Sequence, residues 1–433
     1  DLNYIRTEIT MKLIITICLI ILFSVKGYTQ VNLKSLALVD VSIIDANHQQ
    51  PLPHQTVLIT GERILGIFPD GKGVLPDSAV IFNMHGKFLV PGLIDTHVHM
   101  ATDPSETDNR AGTLRVLNKM LLSGITSVRD MAGDARTLAS LSRDAQTGDI
   151  PSPNIYYSAL MAGPEFFTDP RTVATTRGGV AGNMPYMKAV SDTTNLVLAV
   201  AEAKGTGATG IKLYSDLSAV LVSKIVAEAK KQNMMVWGHA WLSPAKPSDL
   251  VRAGVGSISH GELIFYETRD SVPASWKKPG IPDKFWKDSV PSEKALFSLM
   301  KEHNTILDAT LATYKKWGKE DPANQYGYEI TKMMTINAYK AGVKICAGTD
   351  DDQEGFVQNE MSLLVHDAGF SPIDALIAAT QHGAEAIGIQ NKTGTIELNK
   401  VADLLVLDKN PLDDIENIKS VYLVIKDGRI FKN

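Results

Sequence analysis

Only two cysteines occur in 433 residues, and they leave nothing to pair. Cys18 falls in an N-terminal apolar stretch, so Cys346 stands alone in the body of the chain and an internal disulfide is excluded. The apolar run Leu13–Val25 is shorter than the roughly 20 residues a membrane-spanning helix needs, so no stable membrane anchor is expected. Charge is nearly balanced, with a net value of −5 and no stripe of Lys and Arg, which sets nucleic acid aside as a partner. No G-x-S-x-G elbow offers a serine nucleophile, so any hydrolytic chemistry must be activated in another way.

What remains is an ordinary globular composition, 44% hydrophobic and 21% charged. Met11-Lys12, the apolar run and the small residues near Thr29 read as a secretory signal peptide. Residues 1–10 read as translated leader, and a mature start near Gln30 implies a secreted or periplasmic protein. Short alternating strands fill residues 30–90, and the same texture returns over 393–433, where Asp427-Gly428 forms a hairpin turn. The two ends are therefore expected to meet as one small β-sandwich domain. Between them, residues 91–392 alternate apolar runs with helical stretches in the βα rhythm of a TIM (β/α)8 barrel. Strands are expected near 93–98, 125–130, 154–160, 209–214, 234–238, 256–260, 305–310 and 343–348. Ser218–Gln232 and Ser371–Ile387 read as helices, and the long connection 163–195 as a functional or mobile loop.

Chemistry concentrates at the strand ends. In P-G-L-I-D-T-H-V-H, His97 and His99 are spaced i, i+2, which places both imidazoles on one face of a strand. His239 closes M-M-V-W-G-H, His260 closes G-S-I-S-H, and Asp350 closes V-K-I-C-A-G-T-D. Lys212 sits inside the apolar run G-I-K-L-Y. Four of the ten histidines thus fall where barrel enzymes carry their catalytic groups. The other six fall in loops, helices or edges.

As a set these motifs, with the A-D-L-L-V-L-D-K-N-P tail, resemble the metal-dependent amidohydrolase superfamily, closest to its imidazolonepropionase-like and prolidase-like branch. The resemblance runs from about residue 33 to 431 and departs at Asn399-Lys400, where a Gly is usual. It implies that His97, His99 and Asp350 hold one divalent metal and His239 and His260 a second. Lys212 would bridge them as a carbamate formed with carbon dioxide, because a free ammonium offers donors only. Imidazole and carboxylate ligands suit zinc, with manganese or cobalt able to substitute. Metal lowers the pKa of bound water to about 7, and Asp350 would move the proton from that water to the leaving nitrogen.

Tyr214 and the loop residues Phe166, Phe167 and Arg171 are the candidate substrate contacts, with Arg177 as the fallback cation. An Arg beside aromatics suits a substrate carboxylate with an apolar side chain. Arg129-Asp130 reads as a structural pair near the site. The implied function is hydrolysis of an amide bond in a small molecule, Xaa-Pro dipeptides or N-acyl amino acids first. Two alternatives stand beside it: lactone or ester hydrolysis at the same site, and a non-catalytic metal-binding protein of the same fold. A homo-oligomer is compatible with the sequence, which does not specify one.

Overall fold

The computed structural model describes residues 35–101, 109–268, 291–350 and 355–432. The leader and signal segment expected over 1–29 lie outside the described residues.

Both chain ends contribute to one eight-stranded sheet. Ser35–Ile43 pairs antiparallel with Leu52–Thr60, and that strand with Arg63–Pro69. On its other side Ser35–Ile43 pairs in parallel with Val80–Asn83 and Phe88–Pro91. Phe88–Pro91 then accepts Leu404–Leu407 from the far end of the chain, followed by Val421–Lys426 and Arg429–Phe431. Alternating residues bury one face of these strands around Leu38, Val57, Ile59, Leu404 and Ile425, a core separate from that of the barrel. The hairpin turn is as expected: Asp427 and Gly428 both have positive φ, 49° and 70°, as a type I′ turn requires. Asn399 takes φ 67° where a Gly is usual, a conformation its short polar side chain tolerates.

The barrel strands are Leu93–Val98, Ile125–Asp130, Asn154–Ala162, Gly210–Leu213, Met235–His239, Ser257–Ser259, Ile306–Asp308 and Ile345–Cys346. Neighbours pair in parallel around the ring. The ring closes where the Thr96 N–H donates to Ala347 O at 3.0 Å and the Asp350 N–H to His97 O at 2.8 Å. Leu213, Ile258, Leu307 and their neighbours, buried on both sides, weld the ring to its helices.

Two expectations are corrected. Ser371–Ile387 is not one helix but two, Pro372–Ala378 and Gln381–Ile387, broken at Thr380 (φ −132°, ψ −85°). The break frees two carbonyls for the barrel seam: Ala378 O accepts the Ala347 N–H at 3.1 Å, and Ala379 O accepts the Ile94 N–H at 2.7 Å. Tertiary demand thus outweighs helical propensity. The connection 163–195 is built rather than loose. It holds a turn at Pro164–Thr168, a helix at Pro170–Thr175 started by the Asp169 side chain, and the strand pair Asn183–Met184 and Met187–Ala189. Met187–Ala189 extends the barrel sheet by pairing with Leu160–Ala162.

Candidate active site

The first and last barrel strands are locked together at the point where the ligands emerge. Asp95, the acid of P-G-L-I-D, accepts the N–H of His97 and of Thr349, each at 3.1 Å, and the Thr349 hydroxyl at 2.8 Å. Burial pushes its pKa up to about 7. Gly348 is required here: a Cβ would lie 2.3 Å from Asp308 Oδ1 and 2.8 Å from His97 Cβ. Both motifs, H-x-H and G-T-D, are thereby fixed against each other.

Among the described residues, six non-glycine residues with positive φ stand at or just beyond the C-terminal ends of barrel strands: Ala132, Asp216, Ser243, His260, Thr310 and Asp350. Such backbone costs energy and concentrates at functional sites. His260 (φ 76°) and Asp350 (φ 48°) are themselves candidate ligands, turned out of their strands toward the barrel axis.

Asp350 is the hub. Its Oδ1 lies 2.9 Å from His99 Nε2 and 3.4 Å from His97 Nε2, and its Oδ2 lies 3.9 Å from His260 Nδ1. His97, His99 and Asp350 each present one donor atom within 4.8 Å of the others. His239 continues the cluster, its ring 4.4 Å from that of His260 and 3.8 Å from that of Tyr214. Burial, reinforced by the Lys212 charge and the neighbouring histidines, holds His239 well below the usual imidazole pKa. Burial does the same to His260 against the pull of Asp350. Both rings are therefore neutral and keep a lone pair, the form that ligates metal.

Lys212 is fully buried and close enough for its charge to act on His97, His239 and His260, with Nζ 3.4 Å from Ser259 Oγ. Burial, with the Arg129 charge nearby and despite Asp308, pulls its pKa down to about 7. A neutral amine is the form that reacts with carbon dioxide. The donor set and the neutral rings fit divalent metal ions, and among the described residues no carboxylate pairs directly with the Lys212 amine.

Asp308 completes the arrangement, and nothing in the sequence analysis singled it out. Its Oδ2 accepts from His97 Nδ1 at 2.7 Å and from Ser259 Oγ at 2.9 Å. His97 is thus oriented with Nε2 toward Asp350, the support that metal-ligating histidines commonly receive. Arg129 does not pair with Asp130, as expected from their adjacency, because neighbours on a strand point to opposite faces. Its guanidinium is buried 4.7 Å over the Trp237 ring, donates to Thr96 O and Ser257 Oγ, and lies 3.7 Å from Asp308. Asp130 instead accepts the Met100 N–H at 2.6 Å.

Above the cluster opens a cavity of about 540 Å³. His97, His99, His239, His260, Asp350, Tyr214, Phe166 and Arg171 all reach it, as the sequence led one to expect. Phe166 stacks on Tyr214 at 4.2 Å, and Arg171 is clamped by Asp169 through bonds of 3.0 and 2.9 Å. Phe167 does not line the cavity; it packs behind Phe166 against Gly182. Arg177 is exposed and outside it, where its carbonyl accepts from Arg136. Trp241, Tyr314, Lys316 and Trp317, which the sequence did not flag, also line the cavity. Their only sequence signal was position, just past strands five and seven.

A family model described as the amidohydrolase family matches residues 88–431. The chain belongs to that family. It is a hydrolase, and its barrel is the family's barrel. An ochratoxinase from Aspergillus niger is 26% identical over 396 aligned residues, covering 79% of this chain and 75% of that protein. A prolidase solved with N-methylphosphonate-L-proline is 28% identical with a TM-score of 0.74, covering 92% of this chain and all (100%) of that one. A Xaa-Pro dipeptidase with bound methionine superposes equally well, TM-score 0.74 at 22% identity over 92% and 100% of the two chains, a likeness of fold.

Proposed function

We propose that this amidohydrolase is an exported, metal-dependent enzyme that hydrolyses the amide bond of a small, carboxylate-bearing substrate, an Xaa-Pro dipeptide or an N-acyl amino acid. The observation that carries the reading is the convergence of His97, His99, His239, His260 and Asp350 on one cavity, with the buried Lys212 close enough for its charge to act on the histidines. His97, His99 and Asp350 would hold one ion, His239 and His260 a second, with Lys212 as carbamate between them. When bound, such ions supply Lewis acidity, polarising the scissile carbonyl and acidifying water at neutral pH.

The protein's own groups do the rest. Asp350, held ionised well below the ordinary carboxylate range because the His97 charge and the hydrogen bond and charge of His99 outweigh its burial, is the acceptor for the proton of the attacking water. It returns that proton to the leaving amine nitrogen. Arg171, fixed by Asp169 and close to the Tyr214 hydroxyl, faces the cavity as the group to receive a substrate carboxylate. Phe166 and Tyr214 supply a flat apolar wall beside it. The similar protein called a prolidase was solved with N-methylphosphonate-L-proline, a carboxylate-bearing ligand of this kind.

Metal-loaded protein assayed against a library of dipeptides and N-acyl amino acids should release free amino acid from some of them. Turnover of lactones with none of any amide would replace this reading by the ester one. Export predicts that sequencing of native protein begins near Gln30; retention of Met11–Val25 would contradict it.

A further inference from the structure

Among the described residues two large indoles are buried in the barrel, and only one of them is satisfied. Trp237 is fully buried and donates from Nε1 to Ala386 O at 2.8 Å. Trp241 is 4% exposed, and its Nε1–H has no partner among the described residues. A buried tryptophan N–H normally finds an acceptor, and leaving it without one is destabilising.

The ring is not free to turn away. It stacks on Tyr266, centroids 3.9 Å apart at 11°, and Tyr266 is itself fully buried. The backbone on either side is pinned, Ala240 N–H to Ser259 O at 2.9 Å and Leu242 N–H to Ala245 O at 3.1 Å. Trp241 lies two residues beyond the candidate ligand His239 and lines the cavity above it. Ser215 Oγ, also buried and without a partner, lines the same cavity next to Tyr214. Among the described residues, Asp350 is the only acid in the cavity lining, whereas Arg171 and Lys316 bring cations.

Resting on the amide-hydrolase reading above, we propose that Trp241 is a specificity-determining residue whose indole N–H binds an acceptor oxygen on the acyl half of the substrate. An indole is a donor only, so its partner must accept. The free α-ammonium of an unblocked dipeptide is also donor only, and among the described residues no acid other than Asp350 lines the cavity to receive it. The substrate class is therefore an amine-blocked amino acid or peptide: a carboxylate at the Arg171 end, and a carbonyl or similar oxygen beside an apolar group at the Trp241 end.

Three matched substrates separate these terms: N-acetyl-Phe-Leu has the acceptor, 3-phenylpropanoyl-Leu has neither acceptor nor amine, and Phe-Leu has the amine. Wild type should cleave them in that order of kcat/KM at the bond to Leu. In Trp241→Phe the ratio of the first to the second should fall about tenfold, the loss expected for one hydrogen bond. Should that variant fail to fold, benzothienylalanine at position 241 keeps the bicycle, removes the N–H and should give the same fall. An unchanged ratio, or Phe-Leu as the best substrate, overturns the proposal while leaving amide hydrolysis standing. No turnover of any of the three by metal-loaded wild type overturns both.

Discussion

His97 Nδ1 and Asp308 Oδ2 lie 2.7 Å apart, and both side chains are essentially removed from solvent. The contact joins a candidate ligand on the first barrel strand to an acid on the seventh, and it leaves only Nε2 of His97 facing Asp350. Asp308→Asn keeps the size but removes the anionic acceptor. Metal affinity, measured by competition with a chelator, should fall about 10–100-fold. Affinity equal to wild type would show that His97 needs no such support.

Arg171 is held rigid by Asp169 and presents its guanidinium to the cavity. A charged hydrogen bond of this kind contributes about 1.5–3 kcal/mol, so Arg171→Met should reduce kcat/KM by roughly ten- to a hundredfold on carboxylate-bearing substrates. Amidated analogues should lose far less. Equal losses on both would mark Arg171 as a scaffold residue.

Asp403 offers a pH test away from the site. Burial, and next the Asp427 charge, pushes its pKa up to about 7. The folded chain therefore keeps a proton that the unfolded chain loses near pH 4, so this group's contribution to stability falls as pH rises from about 4 to about 7. Asp403→Asn preserves an oxygen for the Asp427 N–H, now 2.9 Å from Asp403 Oδ1, and removes the titration. Relative to wild type the variant should melt higher at pH 8 than at pH 5. A Tm difference independent of pH would contradict the assignment.

The candidate ligand set was legible because strand ends announce themselves: H-x-H has strand spacing, and His239, His260 and Asp350 each close an apolar run. The eight strands and the meeting of the chain ends followed from the same periodicity. Asp308 was not legible, because an acid after I-L looks like any strand terminus until a histidine from another strand is found bonded to it. The orphan donor of Trp241 is a property of packing, and no local pattern encodes it. The break at Thr380 exists because strands one and eight need carbonyls that a continuous helix would have used itself. Arg129 was assigned to its sequence neighbour, whereas strand alternation sends it across the barrel to Asp308.

The central claim is a two-metal site bridged at Lys212, and metal stoichiometry tests it most directly. Elemental analysis of protein purified without chelator should give close to two divalent ions per chain, zinc foremost, with at least one lost in Lys212→Ala together with most activity. Acetate or propionate should partly restore both by occupying the vacated space, and Lys212→Arg should not, since guanidinium stays protonated. Two ions and full activity in Lys212→Ala would contradict the bridge; a single ion in wild type, unchanged by that substitution, would place the enzyme among one-metal hydrolases instead.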